Sequence, residues 1–130
     1  MATPEALTVL IVDDSSMMRT LLKRAISLAD MPVARVLEAG DGQQALQLLR
    51  AEHVDALLTD INMPVMSGME LLTAIAADPR FAGLTRVIIS TDGSESRRGE
   101  AERLGVAQYL NKPFRPEAIR DALSQLVARS

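Results

Sequence analysis

Short, unbroken apolar runs alternate along this chain with longer stretches in which apolar residues recur every three or four positions. "LTVLIV" (7–12) has the continuous hydrophobicity of a strand buried on both faces. Ser15 and Ser16 then cap a helix whose apolar stripe is Met18, Leu21, Leu22, Ala25 and Ala29. "VARVLEA" (33–39) predicts a second strand, and "DGQQALQLLRAE" (41–52) a helix started by Asp41. "VDALLTD" (54–60) is the third strand, followed across a proline-containing loop by a helix over "SGMELLTAIAAD" (67–78). "LTRVIIS" (84–90) is the fourth strand. The helix expected within 94–104 is nearly all polar and carries Gly99, which costs about 1 kcal/mol against alanine, so it should be the least stable. "VAQYL" (106–110) is a short fifth strand, and Pro116 opens a last helix with the stripe Ile119, Ala122, Leu123, Leu126 and Val127.

Five strand–helix units in strict alternation predict an α/β fold with a parallel sheet covered on both faces. For five strands this is the flavodoxin-like (βα)5 three-layer sandwich with strand order 2-1-3-4-5 and a site outside the carboxyl ends of strands 1 and 3. Residues 1–6 are expected to be a loose tail and 7–129 a single domain.

Composition narrows the function classes. Phe81, Phe114 and Tyr109 are the only aromatics, so the core must be aliphatic. A net charge of −3 with mixed signs gives no basic footprint for nucleic acid and no polybasic stretch for a membrane surface. Without cysteine there is no thiol chemistry, and a single His (His53) argues against a zinc site or a Ser/His/Asp triad. His53 reads as a surface residue at a helix end. Neither a signal peptide nor a membrane span is apparent, which leaves the cytoplasm as the default compartment.

The fold brings every loop after a strand to one edge of the sheet, and those loops carry Asp13, Asp14, Asp60, Ser90, Thr91 and Lys112. Singly, Asp14 reads as a helix cap, Asp60 as a turn residue and Lys112 as a solvated charge. Together, three carboxylates and one ammonium leave a double negative charge, and unit charges about 4 Å apart interact by roughly 4 kcal/mol at an effective dielectric of 20. A divalent cation would neutralise it. An all-oxygen donor set suits Mg²⁺, which also takes a phosphoryl oxygen.

"LIVDDSSMMR", "LLTDINMPVMSGMELL", "VIIS" and "YLNKPF" resemble, in order and over nearly the whole chain, the receiver domain of bacterial response regulators. "DDSSMMR" and "DINMPVMSG" are most similar to the stand-alone chemotaxis receivers. The resemblance implies that Asp60 accepts a phosphoryl group from the phosphohistidine of a sensor histidine kinase. It implies Mg²⁺ held by Asp14 and Asp60 through side chains, by Asn62 through its carbonyl and by Asp13 through a coordinated water. Lys112 would pair with phosphoryl oxygens, the Lys112–Pro113 peptide would be cis, and Tyr109 would be the switch aromatic that turns inward as the strand-4 hydroxyl moves. In the receiver pattern that hydroxyl lies 22 residues before the lysine and 15 before a glycine. Counting from Ser90 reaches Lys112 and Gly105; counting from Thr91 misses both by one. Ser90 is therefore the expected sensor. Thr91, where the family usually has a small residue, is expected to modulate dephosphorylation.

Methionines 17, 18, 63, 66 and 69 are read as packing rather than as a binding surface. Three function classes follow: a binding switch without an output domain, monomeric and acting on a partner such as a flagellar motor switch; a phosphorelay intermediate serving a phosphotransferase; and a receiver excised from a larger regulator or hybrid kinase. Direct nucleic-acid and membrane binding are not expected. An aspartyl phosphatase is disfavoured because Asn62 stands where its second Asp belongs, and a flavodoxin because "DDSSMM" is acidic where an anion-cradling loop should lie. The chain is thus expected to be a signalling switch rather than an enzyme with an external substrate, catalysing only its own phosphorylation and slow dephosphorylation.

Overall fold

The computed structural model describes residues 7–29 and 31–129, and for 126–129 the backbone only. The expected tail at 1–6, and the contacts of Leu126 and Val127, lie outside the described residues. Five strands, β1 (Leu7–Val12), β2 (Val33–Ala39), β3 (Ala56–Thr59), β4 (Thr85–Ser90) and β5 (Val106–Asn111), form one sheet of order β2-β1-β3-β4-β5. Every adjacent pair is parallel. The helices are α1 (Ser16–Leu28), α2 (Gly42–Ala51), α3 (Gly68–Ala76), α4 (Glu95–Arg103) and α5 (Pro116–Arg129), with a short 3-10 turn at Pro79–Phe81 that the apolar pattern did not announce.

Two aliphatic cores lie on opposite faces of the sheet. Leu10, Leu57, Ile88, Leu71, Leu72 and Ile75 anchor the face under α2 and α3. Ile11, Leu58, Ile89, Leu22, Ile119 and Leu123 anchor the face under α1 and α5. The alternation along β1, β3 and β4, with residues of each strand shared between both cores, is why those strands read as unbroken apolar runs.

Helix starts follow local chemistry. Ser15, Asp41, Ser67 and Ser94 each accept a backbone N–H from the first turn of α1, α2, α3 and α4, and at α3 Glu70 answers back to the Ser67 N–H to complete a capping box. The stripe read for α1 is partly corrected. Ile26 is buried in the place of Leu21, which is 47% exposed, and Met17 is 73% exposed rather than packed. Both lie on the flank of α1 away from the sheet, where Ser16 and Thr20 also face water.

Two features distinguish the β4–α4–β5 side. Helix α4 buries a single residue, Ala101. Strand β4 buries a charged one: Arg86, at 9% exposure, donates to the carbonyls of Phe81 (2.9 Å) and Leu104 (3.0 Å). Its burial lowers the guanidinium pKa from the ordinary value.

Candidate functional site

Register places the ends of β1, β3 and β4 level with one another: Val12 pairs with Thr59, and Thr59 with Ile88. The residues that leave these strands therefore emerge together, and Lys112 follows β5 at the same edge.

Lys112 Nζ donates to Asp13 Oδ2 at 2.8 Å and to Asp60 Oδ2 at 2.9 Å. The Asp13 side chain is 2% exposed and those of Asp60 and Lys112 12% each. Burial alone would lower the pKa of this lysine, but the hydrogen bonds and negative charges of Asp13 and Asp60 outweigh it and raise the value. The remaining oxygens are held by backbone: Asp13 Oδ1 accepts Ser15 N–H (2.9 Å), and Asp60 Oδ1 accepts Ile61 N–H (2.6 Å). Asp14 is exposed, yet one carboxylate oxygen from each of Asp13, Asp14 and Asp60 lies within 4.8 Å of the others. One ammonium balances one of three carboxylates, and the all-oxygen cluster opens to solvent at Asp14. Such a donor set fits a hard divalent cation.

Two neighbours fix this edge. Arg19 of α1 donates to the Asp13 carbonyl at 2.6 Å and pairs with Glu38 at 3.0 Å. Gly68, at the start of α3, donates to the Ile61 carbonyl at 2.8 Å, and a Cβ there would stand 2.0 Å from the Asp60 carbonyl oxygen. Only a residue without a side chain lets α3 approach the backbone of Asp60 so closely.

The other expected residues surround the cluster without joining it. Ser90 is fully buried at the end of β4; its carbonyl accepts Lys112 N–H (2.9 Å) and its hydroxyl accepts Asp92 N–H (3.2 Å). Thr91 is exposed, as is Asn62 on the loop after β3. The Lys112–Pro113 peptide is cis. Tyr109 is half-buried on β5, and its hydroxyl donates to the Asp92 carbonyl. Its pKa is raised, first by burial and then by the Asp92 carboxylate. His53 is 84% exposed and pairs with Asp55 at 3.0 Å, away from the cluster.

Sequence reasoning passed over Asp92 and Arg98. Asp92 links Ser90 to Tyr109 through its backbone, and its own carboxylate accepts Ser94 N–H at 3.1 Å. "TDGS" carries the composition of such a turn, but nothing in it names the tyrosine. Arg98 lies over the Tyr109 ring, 4.6 Å from its centroid.

The comparisons agree with this geometry. The family model described as "Response regulator receiver domain" matches residues 9–124. The chain is 36% identical over 121 residues to a chemotaxis protein CheY of Pseudomonas aeruginosa, covering 93% of this chain and 96% of that protein. It is 35% identical over 119 residues to a chemotaxis protein CheY homolog of Campylobacter jejuni, covering 91% and 90%. Among solved structures, it is similar to chemotaxis response regulator CheY4 of Vibrio cholerae, with a TM-score of 0.82, 29% identity and coverage of 93% and 98%. A signal receiver domain of an HD domain-containing protein from Pseudomonas fluorescens gives a TM-score of 0.85 at 27% identity, covering 96% and 97%. A parallel (βα)5 sheet with an acidic pocket at its carboxyl edge defines the class, and the chain belongs to the response regulator receiver domain family. Within it the chain is CheY-like, a signalling switch of two-component systems. No helix among the described residues is long and apolar enough to cross a membrane.

Proposed function

We propose that this protein is a phosphorylation-controlled binding switch of the chemotaxis type, in which Asp60 accepts a phosphoryl group from the phosphohistidine of a sensor histidine kinase in the cytoplasm. The observation that carries the reading is the Lys112 ammonium bridging Asp13 and Asp60 at 2.8 and 2.9 Å, beside Asp14. Such a cluster is charged against its own stability and suited to a transferring anion once its charge is balanced.

Asp60 Oδ1 is held by the Ile61 N–H, which aims Oδ2 toward Lys112 and the open side of the cluster. In this reading Oδ2 attacks phosphorus, the P–N bond to the donor histidine breaks with its electron pair leaving on the imidazole, and an acyl phosphate forms. Lys112 then exchanges a carboxylate partner for a phosphoryl oxygen. The carboxylates of Asp13, Asp14 and Asp60 and the Asn62 carbonyl would hold Mg²⁺, directly or, for Asp13, through a coordinated water. When bound, Mg²⁺ supplies charge neutralisation on the transferring group. Ser90 serves as the sensing hydroxyl, Tyr109 as the switch aromatic, and Thr91 modulates access of water to the acyl phosphate. The β4–β5 side then changes its affinity for a downstream protein, such as a flagellar motor switch component.

The test is phosphate uptake from a small acyl-phosphate donor. Native protein should take up alkali- and hydroxylamine-labile label only with Mg²⁺, and Asp60→Asn should take up none; full labelling of that variant would overturn the assignment. A pull-down with beryllofluoride-treated and untreated protein then separates the outputs. Capture of a motor-switch protein by the treated form supports a binding switch, and capture of a phosphotransferase would replace it with a phosphorelay role.

A further inference from the structure

Helix α4 presents an unusual combination. It buries only Ala101, carries Gly99 in its interior, and has three arginines and three glutamates among its nine residues. Apolar burial, which holds α1, α2, α3 and α5 to the sheet, is nearly missing here. Polar contacts take its place, and most converge on one point.

Arg98 Nη2 donates to Asn111 Oδ1 at 3.2 Å, and Nη1 reaches the Tyr109 carbonyl at 3.5 Å. Its guanidinium carbon lies 4.6 Å from the centre of the Tyr109 ring. A planar guanidinium over an aromatic face is attracted by the ring quadrupole, and its fork can bond in plane to β5 at the same time. On the far side the Tyr109 hydroxyl is fixed to the Asp92 carbonyl, and Asp92 N–H is fixed to the Ser90 hydroxyl. Arg97, one residue before Arg98, reaches the Asp92 carboxylate at 3.4 Å. Asn111 also lies close to Gly93, where an added Cβ would stand 3.1 Å from its Oδ1. The loop after β4, the ring on β5 and helix α4 are thus joined through Ser90, Asp92, Tyr109, Asn111 and Arg98.

We infer that Arg98 is a positioning residue that latches the Tyr109 ring between α4 and the Asp92 carbonyl, and so couples the position of α4 to the Ser90 hydroxyl. This rests on reading Ser90 and Tyr109 as the switch pair. Lysine at 98 keeps a charge over the ring but lacks the fork that also holds Asn111 and the β5 carbonyl. Glutamine keeps hydrogen bonding but removes the charge.

The chain supplies its own probe. Tyr109 is the only tyrosine and there is no tryptophan, so intrinsic emission reports this ring alone. Acrylamide quenching should be compared in the unphosphorylated native protein, Arg98→Gln, Arg98→Lys, Asn111→Ala and Arg103→Gln. Arg103 is an exposed arginine of the same helix. The expected result is a quenching constant raised about twofold or more in Arg98→Gln, as the ring loses its cover, with smaller rises in Arg98→Lys and Asn111→Ala and none in Arg103→Gln. Quenching in Arg98→Gln equal to native, or a rise in Arg103→Gln as large as that in Arg98→Gln, would overturn the latch. Should Arg98→Gln fail to fold by circular dichroism, Arg98→Lys and Asn111→Ala decide in the same way: native-like quenching in both refutes it. Acyl-phosphate labelling of Asp60, run alongside, keeps the two readings apart. Loss of labelling in the native chain defeats the phosphoacceptor reading, while the quenching series reads the latch without any phosphoryl transfer.

Discussion

Replacing Lys112 with methionine tests the electrostatic account of the site most directly. Methionine keeps much of the lysine stem and removes the charge that bridges Asp13 and Asp60 at 2.8 and 2.9 Å. Breaking a buried ion pair by removing one partner costs roughly 3–5 kcal/mol, because the other charge stays buried. Asp13 meets that condition at 2% exposure, whereas Asp60 sits toward the open side and keeps its Ile61 hydrogen bond. The lysine's own desolvation is also recovered, so a net loss of about 2–3 kcal/mol is expected without metal. The variant site would then carry a charge of about −3 in place of −2. A divalent cation about 5 Å from the deleted charge gains about 1.7 kcal/mol even at the dielectric of water, or more than tenfold in affinity. Urea unfolding of native and Lys112→Met protein, in EDTA and in excess Mg²⁺, measures both quantities. The stability gap should be widest in EDTA and narrow markedly with Mg²⁺. A gap of the same size in both buffers would refute the claim that the lysine and the cation answer the same negative charge.

Four further outcomes follow from the geometry and the proposed function. Gly68→Ala should destabilise the protein by about 2–4 kcal/mol, because its Cβ meets main chain at Asp60 and the Gly68–Ile61 hydrogen bond must stretch; a change below about 0.5 kcal/mol in urea unfolding would contradict the close approach. Thr91→Ala should speed loss of acyl phosphate, and Ser90→Ala should abolish the partner response to beryllofluoride; an unchanged decay rate in Thr91→Ala would remove that residue from the timing of the signal. Tyrosinate absorbance should titrate at higher pH in the native protein than in urea, since burial and Asp92 raise the Tyr109 pKa. A folded value above the unfolded one gives a stabilising contribution that is complete below the unfolded pKa and lost as pH rises through the folded one; coincident midpoints would contradict it.

The architecture was legible because each central strand is buried on both faces and so announces itself without periodicity. β1 and β2 begin and end where the pattern placed them, and the strand order followed from five alternating units read with the order usual for five-stranded doubly wound sheets. Asp13, Asp14, Asp60 and Lys112 could be grouped because parallel topology delivers all strand ends to one edge. What stayed hidden depends on side chains reaching across elements. Arg86 stands inside "LTRVIIS" like a surface residue, yet the carbonyls of Phe81 and Leu104 let it be buried. Leu21 fits the α1 stripe as well as Ile26 does, yet Ile26 is buried and Leu21 exposed. In the sequence Arg98 is one charge among six on a nearly all-polar helix, and its partner Tyr109 is eleven residues away on another element.

The scarcity of apolar contact beneath α4 has a thermodynamic consequence for signalling. The heat-capacity change of docking, and with it the curvature of its free energy with temperature, comes mainly from apolar surface entering or leaving water. An element that docks through an arginine fork, a capped turn and one alanine exchanges little such surface when it shifts. Its equilibrium should therefore follow a nearly constant enthalpy, without the curvature of a hydrophobic contact, and respond to ionic strength, which screens the exposed part of its charges. A switch attached in this way would give a straight van 't Hoff plot where a hydrophobic contact gives a bent one, and would register salt.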